Sequence, residues 1–159
     1  MAASDAGEPI DIAEDGDSRY SRMEALTMQV ASRTNLRQML FVDDEPSIRL
    51  TLPPILEEYG FQIRIADSVP SALKEISLYQ FDVLLSDLNI AQAHDGFSVV
   101  KAARAANPSC VAILLTGYPD FDSAVEGIDS EIDGYLVKPA DIGKLVKTIE
   151  QKLAARMKA

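Results

Sequence analysis

The segment DVLLSDLN, at residues 82–89, has the pattern of a buried strand that ends in a polar loop. Its apolar centre, residues 83–85, shows no alternation between polar and apolar side chains, which is typical of a strand covered on both faces of its sheet. Such a strand needs parallel neighbours at its edges and helices on both faces. The segment therefore predicts an α/β domain built around it.

Four more short apolar runs lie outward from this segment in both directions. The runs recur about every 21 to 28 residues, the spacing that a strand, a crossover helix and two short loops require. Five strands with right-handed crossovers predict a flavodoxin-like (βα)5 fold, a doubly wound parallel five-stranded sheet in the order 2-1-3-4-5. The four outer runs are MLFV at 39–42, QIRIA at 62–66, VAILL at 111–115 and YLV at 135–137.

The segments between the runs carry apolar residues at helical spacing, which predicts helices on the faces of the sheet. In the first of them the spacing extends from Ile48 to Tyr59, but Pro53 and Pro54 lie inside it. Two prolines remove two backbone donors, so we expect this helix to be kinked or interrupted near Leu50.

The N-terminal segment differs from the rest of the chain in charge. Six of the 25 acidic residues lie in the first 18 positions, where there is no Lys or Arg. We predict that residues 1–36 are an acidic disordered segment with a short helix near its end, and that residues 37–159 form one folded domain. The net charge of −10 argues against direct binding to nucleic acid or to an anionic membrane surface.

Cysteine usage and the N-terminal residues bear on the compartment. The single cysteine, Cys110, has no partner for an intramolecular disulfide, and the acidic N-terminus lacks the apolar stretch of a signal peptide. We expect a cytoplasmic protein.

Carboxylates gather where this fold places its ligand crevice, at the carboxyl ends of strands 1 and 3. Asp43 and Asp44 follow strand 1, and Asp87 ends strand 3. Such crowding is costly unless a cation neutralises it, and Mg²⁺ prefers a few carboxylate oxygens together with retained water and a phosphate. The sequence therefore predicts a magnesium site at this edge.

The two remaining strands of the predicted crevice end in a hydroxyl and an ammonium group. Strand 4 ends in Thr116 and strand 5 ends in Lys138. A carboxylate nucleophile, an acid pair, a hydroxyl donor and a cation are together the groups that transfer of a phosphoryl group to a carboxylate needs. This set predicts phosphoryl transfer at Asp87.

These segments resemble the response-regulator receiver family of two-component signalling over about residues 37–158. The resemblance is carried by FVDDEPSIR, DVLLSDLN, ILLTGYPD and GYLVKPADI. It implies that Asp87 accepts a phosphoryl group from a sensor histidine kinase or a histidine phosphotransfer protein. It also implies a metal site made of Asp43, Asp44, Asp87 and the backbone carbonyl of Asn89.

The same resemblance implies roles for four residues near the crevice. Thr116 and Lys138 would hold the phosphoryl oxygens, and Tyr135 would be the aromatic switch residue that turns inward when Thr116 moves towards the phosphate. Asn89 and Tyr118 occupy positions that modulate how fast the acyl phosphate is lost, and we predict that a bulky Tyr118 prolongs its lifetime. The Lys138-Pro139 junction is the one that is usually cis in receivers.

The loop after Asp87 departs from the family pattern. Receivers commonly carry a proline four residues after the phosphorylated Asp, and an Asp-Gly pair seven and eight residues after it. This chain has Ala91 at the first position, and its pair, Asp95-Gly96, comes one residue later. The conformation of this loop therefore cannot be transferred from the family.

Two alternatives to a phospho-accepting receiver remain open on the sequence. One is a pseudo-receiver, a binding module with this fold that is never phosphorylated. The other is a haloacid-dehalogenase-like phosphatase, which needs a second Asp two residues after the nucleophile, where this chain has Asn89. Acting as a receiver, the chain would not be an enzyme beyond its own phosphorylation and dephosphorylation.

The output of a receiver is an altered protein-binding surface. We expect a stand-alone receiver whose readout surface is formed by helix 4, strand 5 and helix 5, and whose partner is a downstream protein effector. A homodimer that forms on phosphorylation is a further expectation.

Overall fold

The computed structural model describes residues 22–26 and 36–157. Residues 22–26 are helical, within the segment for which a short helix was predicted. The predicted disorder of the acidic N-terminal residues lies outside the described part of the chain and stays a prediction. A compact unit begins at Arg37. Within the described ranges, none of the helices combines the length and the apolar character that crossing a bilayer requires.

The compact unit contains one sheet of five parallel strands in the order β2-β1-β3-β4-β5. This order confirms the predicted doubly wound fold, and each strand lies within two residues of its predicted run. The strands are β1 (Arg37–Val42), β2 (Phe61–Ala66), β3 (Val83–Asp87), β4 (Val111–Thr116) and β5 (Gly134–Val137).

Five helices connect or follow the strands, and local signals define several of their ends. The second begins after Ser68, whose hydroxyl accepts from the backbone N–H of Ser71 in a capping box. The fourth begins after Asp120, whose carboxylate accepts from the backbone N–H of Ser123. The helices are α1 (Pro46–Glu57), α2 (Val69–Leu78), α3 (Gly96–Ala106), α4 (Phe121–Asp129) and α5 (Ile142–Met157).

Helix α1 is continuous through Pro53 and Pro54, so the predicted interruption near Leu50 is wrong, while the alternative of a kink there stays a prediction. The prolines remove two intrahelical hydrogen bonds, but they do not remove the apolar face of the helix. Leu56 is fully buried, and Ile48 and Leu52 pack against the same core. Tertiary packing of this face holds the helix together where its local hydrogen bonding is weakened.

Two hydrophobic cores lie on opposite faces of the sheet. Alternate residues of each inner strand point to one face or the other, so Leu84 belongs to one core and Leu85 to the other. Helices α2 and α3 cover the first face, and α1 and α5 cover the second. Burial on both faces explains why the central strands are apolar without alternation, and it leaves polar residues to the strand ends.

Candidate functional site

Three carboxylates meet at the carboxyl ends of β1 and β3. The two strands are neighbours, and Val42 is paired with Ser86, which brings Asp43 beside Asp87. Ligand atoms of Asp43, Asp44 and Asp87 all lie within 4.8 Å of one another. Asp43 and Asp87 are buried and Asp44 is exposed, so the cluster is open to solvent on one side. A hard divalent cation fits this donor set, because oxygen ligands and an open side for water are what Mg²⁺ requires.

Lys138 reaches this cluster from the end of β5. Its Nζ lies 2.7 Å from Oδ2 of Asp43 and 3.3 Å from Oδ2 of Asp87. The Lys138-Pro139 peptide bond is cis, as expected from the resemblance, and the backbone N–H of Lys138 donates to the carbonyl of Thr116. The ammonium group therefore bridges the two buried carboxylates.

Burial and charge oppose each other at these groups. Burial raises the pKa of Asp87 and the charge of Asp43 adds to that rise, while the Lys138 ammonium and the backbone N–H of Asn89 offset part of it. Burial alone would lower the pKa of Lys138, but its hydrogen bond to Asp43 and the charges of Asp43 and Asp87 outweigh burial and raise it. Lys138 is therefore held as a cation, whereas ionised Asp87 is unfavourable in this pocket.

Thr116 ends β4 next to Leu115, the register partner of Asp87. Its side chain is fully buried, and its Oγ1 accepts a hydrogen bond of 3.1 Å from the backbone N–H of Tyr118. Tyr118 itself is 85% exposed, so most of its side chain is open to solvent. The predicted shielding of the site by Tyr118 is untested and stays a prediction.

Tyr135 lies on β5, partly buried against the core that α2 and α3 cover. Its hydroxyl is 2.6 Å from Oγ of Ser123, a fully buried residue in the first turn of α4. The Ser123 hydroxyl also donates to the carbonyl of Asp120. Sequence reasoning did not identify Ser123, because a serine three residues after a capping aspartate indicates only a helix start.

The loop between β3 and α3 brings Asn89 into contact with Asp87. The backbone N–H of Asn89 donates to Oδ1 of Asp87 at 3.2 Å. The Asn89 side chain does not point freely into solvent, because its Oδ1 accepts from the backbone N–H of His94 at 2.7 Å. His94 in turn contacts two acids near α4, with Nδ1 3.1 Å from Glu126 and Nε2 3.4 Å from Asp120.

The structure thus brings together the carboxylates of Asp43, Asp44 and Asp87, the ammonium group of Lys138 and the main chain of Asn89. Thr116 lies at the end of the adjoining strand, and Tyr118 lies between that strand and α4. Tyr135 lies on β5, where its hydroxyl contacts Ser123 in the first turn of α4. Sequence reasoning named Asp95 only as part of the displaced Asp-Gly pair and did not predict that its carboxylate binds the loop backbone. In a sequence, an Asp directly before a helix indicates an N-cap. The residues around Asp95 do not reveal that its carboxylate binds the preceding loop instead of the helix.

Comparisons with known proteins identify the family of the domain. The sequence model described as "Response regulator receiver domain" matches residues 39–150. The transcriptional regulatory protein ZraR of Escherichia coli (strain K12) is 33% identical over 116 residues, which are 73% of this chain and 26% of ZraR. The chain spans about a quarter of the length of the curated relatives it matches.

Two solved structures share the fold. A CheY-like receiver domain protein from Methanospirillum hungatei JF-1 has a TM-score of 0.72 at 27% identity, covering 78% of this chain and 98% of that one. A response regulator protein from Burkholderia pseudomallei, solved with a phosphorylated aspartic acid, a calcium ion and citrate, has a TM-score of 0.67 at 26% identity. The match covers 75% of this chain and 69% of that protein.

Proposed function

Because this chain belongs to the response regulator receiver family, we propose that it is a phospho-accepting receiver of a two-component phosphorelay and that Asp87 takes the phosphoryl group. Receiver domains are signalling modules rather than conventional enzymes. In this proposal the chain promotes only its own phosphorylation and dephosphorylation.

One observation carries the proposal. Asp43, Asp44 and Asp87 have ligand atoms within 4.8 Å of one another, and the Lys138 ammonium lies 3.3 Å from Asp87. Carboxylates this close together repel one another, which costs folding stability. Clusters of this kind beside a fixed cation are common at functional sites, where one of the carboxylates can react. The phosphorylated aspartic acid and the calcium ion in the Burkholderia pseudomallei relative support the same chemistry.

The proposed reaction is a transfer between two protein groups. A carboxylate oxygen of Asp87 attacks the phosphorus of a phosphohistidine on the partner; the new P–O bond forms as the P–N bond breaks, and the imidazole leaves with the electron pair. Water later attacks the acyl phosphate, which releases inorganic phosphate and restores the carboxylate. Mg²⁺ held by Asp43, Asp44, Asp87 and the Asn89 carbonyl would supply charge neutralisation at the phosphoryl oxygens.

The neighbouring side chains would hold the phosphoryl group and report its arrival. Lys138 would pair with one phosphoryl oxygen, since its ammonium already lies near Asp87. Thr116 would donate a hydrogen bond to a second phosphoryl oxygen. Its hydroxyl hydrogen is available for this, because the backbone N–H of Tyr118 engages only the hydroxyl oxygen, as an acceptor. Tyr135 would respond to that movement as the switch residue, while Asn89 and Tyr118 would set the lifetime of the acyl phosphate.

The partners follow from the same proposal. A sensor histidine kinase or a histidine phosphotransfer protein would donate the phosphoryl group, and a protein effector would read the surface formed by α4, β5 and α5. Phosphorylation could also bring two copies together through that surface. The net charge of −10 disfavours direct contact with nucleic acid or membrane, and we propose a cytoplasmic setting.

The test is incubation with Mg²⁺ and acetyl phosphate, read by intact mass. We expect a single stable phosphoryl adduct on the wild type and none on Asp87→Asn. Asp67→Asn is the matched control, because Asp67 follows β2 at the same edge of the sheet but lies outside the carboxylate cluster. Continuous release of phosphate would favour a phosphatase, and an unmodified wild type would favour a pseudo-receiver.

A further inference from the structure

The loop between β3 and α3, residues 88–95, is one residue longer than the spacing common in the family, yet it remains in contact with Asp87. Leu88 and Ile90 are buried, and the backbone N–H of Asn89 reaches the Asp87 carboxylate. A longer loop has more conformations available to it, and restricting them requires specific contacts. Two groups of hydrogen bonds inside the loop supply those contacts.

The first group is made by the carboxylate of Asp95. Its Oδ1 accepts from the N–H of Ile90 at 2.6 Å, and its Oδ2 accepts from Ala91 and Gln92 at 2.9 and 3.0 Å. Asp95 stands at the N-cap position of α3 but makes no capping bond to that helix. Its carboxylate is therefore committed to the loop, although an aspartate at this position ordinarily caps the helix that follows.

The second group joins the two ends of the loop's exposed part. Oδ1 of Asn89 accepts from the N–H of His94 at 2.7 Å, and His94 has a left-handed backbone with a φ of 62°. This conformation is uncommon for a residue other than glycine. The Asn89 amide therefore closes the loop around the left-handed turn at His94.

The end of the loop is anchored against Asp87 itself. The N–H of Gly96 donates to the carbonyl of Leu88 at 2.8 Å. A Cβ at position 96 would lie 2.9 Å from that carbonyl oxygen and closer still to the carbonyl oxygen of Asp87. Asp95 is thus fixed relative to β3. The hydrogen bonds of its carboxylate therefore hold the backbone of residues 90–92 in a fixed position relative to that strand.

We propose that Asp95 is a positioning residue that holds the main chain at Asn89 in place for the metal site, with the Asn89 side chain as its partner in this role. The inference rests on the proposed function, in which the Asn89 carbonyl is a ligand. Loss of either side chain frees the loop and weakens metal binding without removing any of the three carboxylate ligands. Substitution of a residue that orients a metal ligand, without binding the metal itself, commonly lowers metal affinity 10- to 100-fold.

The test measures Mg²⁺ affinity of the non-phosphorylated protein by calorimetric or NMR titration. We expect Asp95→Ala and Asn89→Ala to weaken Mg²⁺ binding roughly 10-fold or more. Asp95→Asn, which keeps one acceptor oxygen, should fall between Asp95→Ala and the wild type. His94→Asn should bind like the wild type, because asparagine tolerates the left-handed backbone and keeps the N–H donor.

Thermal unfolding in EDTA separates positioning from general loss of stability. Ser68→Ala is the matched control, since it removes a hydroxyl that accepts a backbone N–H at the start of α2. It should lower stability and leave Mg²⁺ affinity unchanged. An Asp95→Ala protein that folds and binds Mg²⁺ within twofold of the wild type would overturn the inference.

The outcomes for the inference and for the proposed function are distinguishable. If the wild type takes the phosphoryl group but Asp95→Ala binds Mg²⁺ normally, the inference falls and the proposed function stands. If Asp95→Ala loses Mg²⁺ affinity but no adduct forms on the wild type, the inference stands and phosphorylation falls. A wild type that does not bind Mg²⁺ overturns the inference and the metal part of the proposed function together.

Discussion

Asp87 is buried beside a second carboxylate at the end of β3, and Lys138 neutralises only part of the combined charge. Burial raises the pKa of Asp87, so the folded protein binds a proton there more readily than the unfolded chain does. Stability therefore falls as the pH rises from the unfolded pKa of about 3.9 through the raised folded value. The ionised form of Asp87 therefore lowers the stability of the fold.

We predict that Asp87→Asn stabilises the metal-free protein at pH 7, because it removes the buried charge and leaves the Asp43–Lys138 pair intact. The melting temperature in EDTA should rise by a few degrees, given that each kcal/mol shifts it by about 2–8 °C in domains of this size range. The gain should disappear as the pH falls below the unfolded pKa of about 3.9, where Asp87 becomes protonated in both states. A variant that melts below the wild type at pH 7 would show that the charge of Asp87 does not lower the stability of the folded protein.

Gly96 allows α3 to begin directly against the backbone of β3. We predict that Gly96→Ala destabilises the protein by roughly 1–3 kcal/mol, because the added methyl group meets the carbonyl oxygens of Asp87 and Leu88. Gly143→Ala is the control: its Cβ would meet only Asp141 Oδ1, at 3.4 Å, so this variant should be neutral or more stable by up to about 1 kcal/mol. Urea unfolding of both variants checks the contrast, and equal effects would contradict it.

At the scale of the elements, the first turn of α4 is joined to β5 by the hydrogen-bonded hydroxyls of Ser123 and Tyr135. The same turn is capped by Asp120, whose carboxylate lies 3.4 Å from the His94 ring in the loop after β3. A series of polar contacts therefore connects the loop after Asp87 to β5, the strand that precedes Lys138, by way of α4.

We predict that Ser123→Ala and Tyr135→Phe each cost about 0.5–1.5 kcal/mol, because each breaks the same partly buried hydrogen bond. The double variant should cost clearly less than the sum of the two, and a double-mutant cycle from chemical unfolding measures the coupling. Tyr59→Phe is the control, since Tyr59 is about half exposed. Additive costs would mean that the two hydroxyls do not stabilise each other.

At the scale of the whole domain, Asp133 links the two faces of the sheet. Its carboxylate accepts from Arg104 of α3 at 2.7 Å and from Arg156 of α5 at 3.0 Å, and these helices cover opposite faces. It also accepts from the backbone N–H of Ala112 in β4 at 2.9 Å. This cluster lies near the start of β5, at the end of the sheet away from the carboxylate site.

We predict that Asp133→Ala destabilises the domain by roughly 2–4 kcal/mol, because it leaves two partly buried guanidinium groups and one backbone donor without their shared acceptor. Denaturant unfolding should show a lower midpoint with an unchanged slope. Glu75→Ala, which breaks the exposed pair with Arg64, should have a much smaller effect. Equal losses in the two variants would mean that Asp133 acts as an ordinary surface charge.

Much of the fold could be predicted because the signals are periodic and local. The apolar runs marked the five strands, and the crossover rules left one common strand order, which the sheet has. Of the kink or interruption predicted at Pro53 and Pro54, the interruption was wrong, since whether α1 continues through them depends on packing against β1 and β2 rather than on local propensity. For the site, strand ends indicated Asp43, Asp44, Asp87, Thr116 and Lys138 in advance, because parallel strands end at one edge.

The sequence by itself determined the parallel α/β architecture and the identity of the polar residues at its carboxyl edge, since both follow from the order of residues along each strand. Only the tertiary structure decided what those residues touch. That Asp95 turns its carboxylate back into the loop, that Asn89 binds His94, that Ser123 meets Tyr135 and that Asp133 joins α3 to α5 all depend on side-chain directions set by packing. Such directions arise from contacts between elements that are distant in the chain, so they cannot be predicted from local sequence.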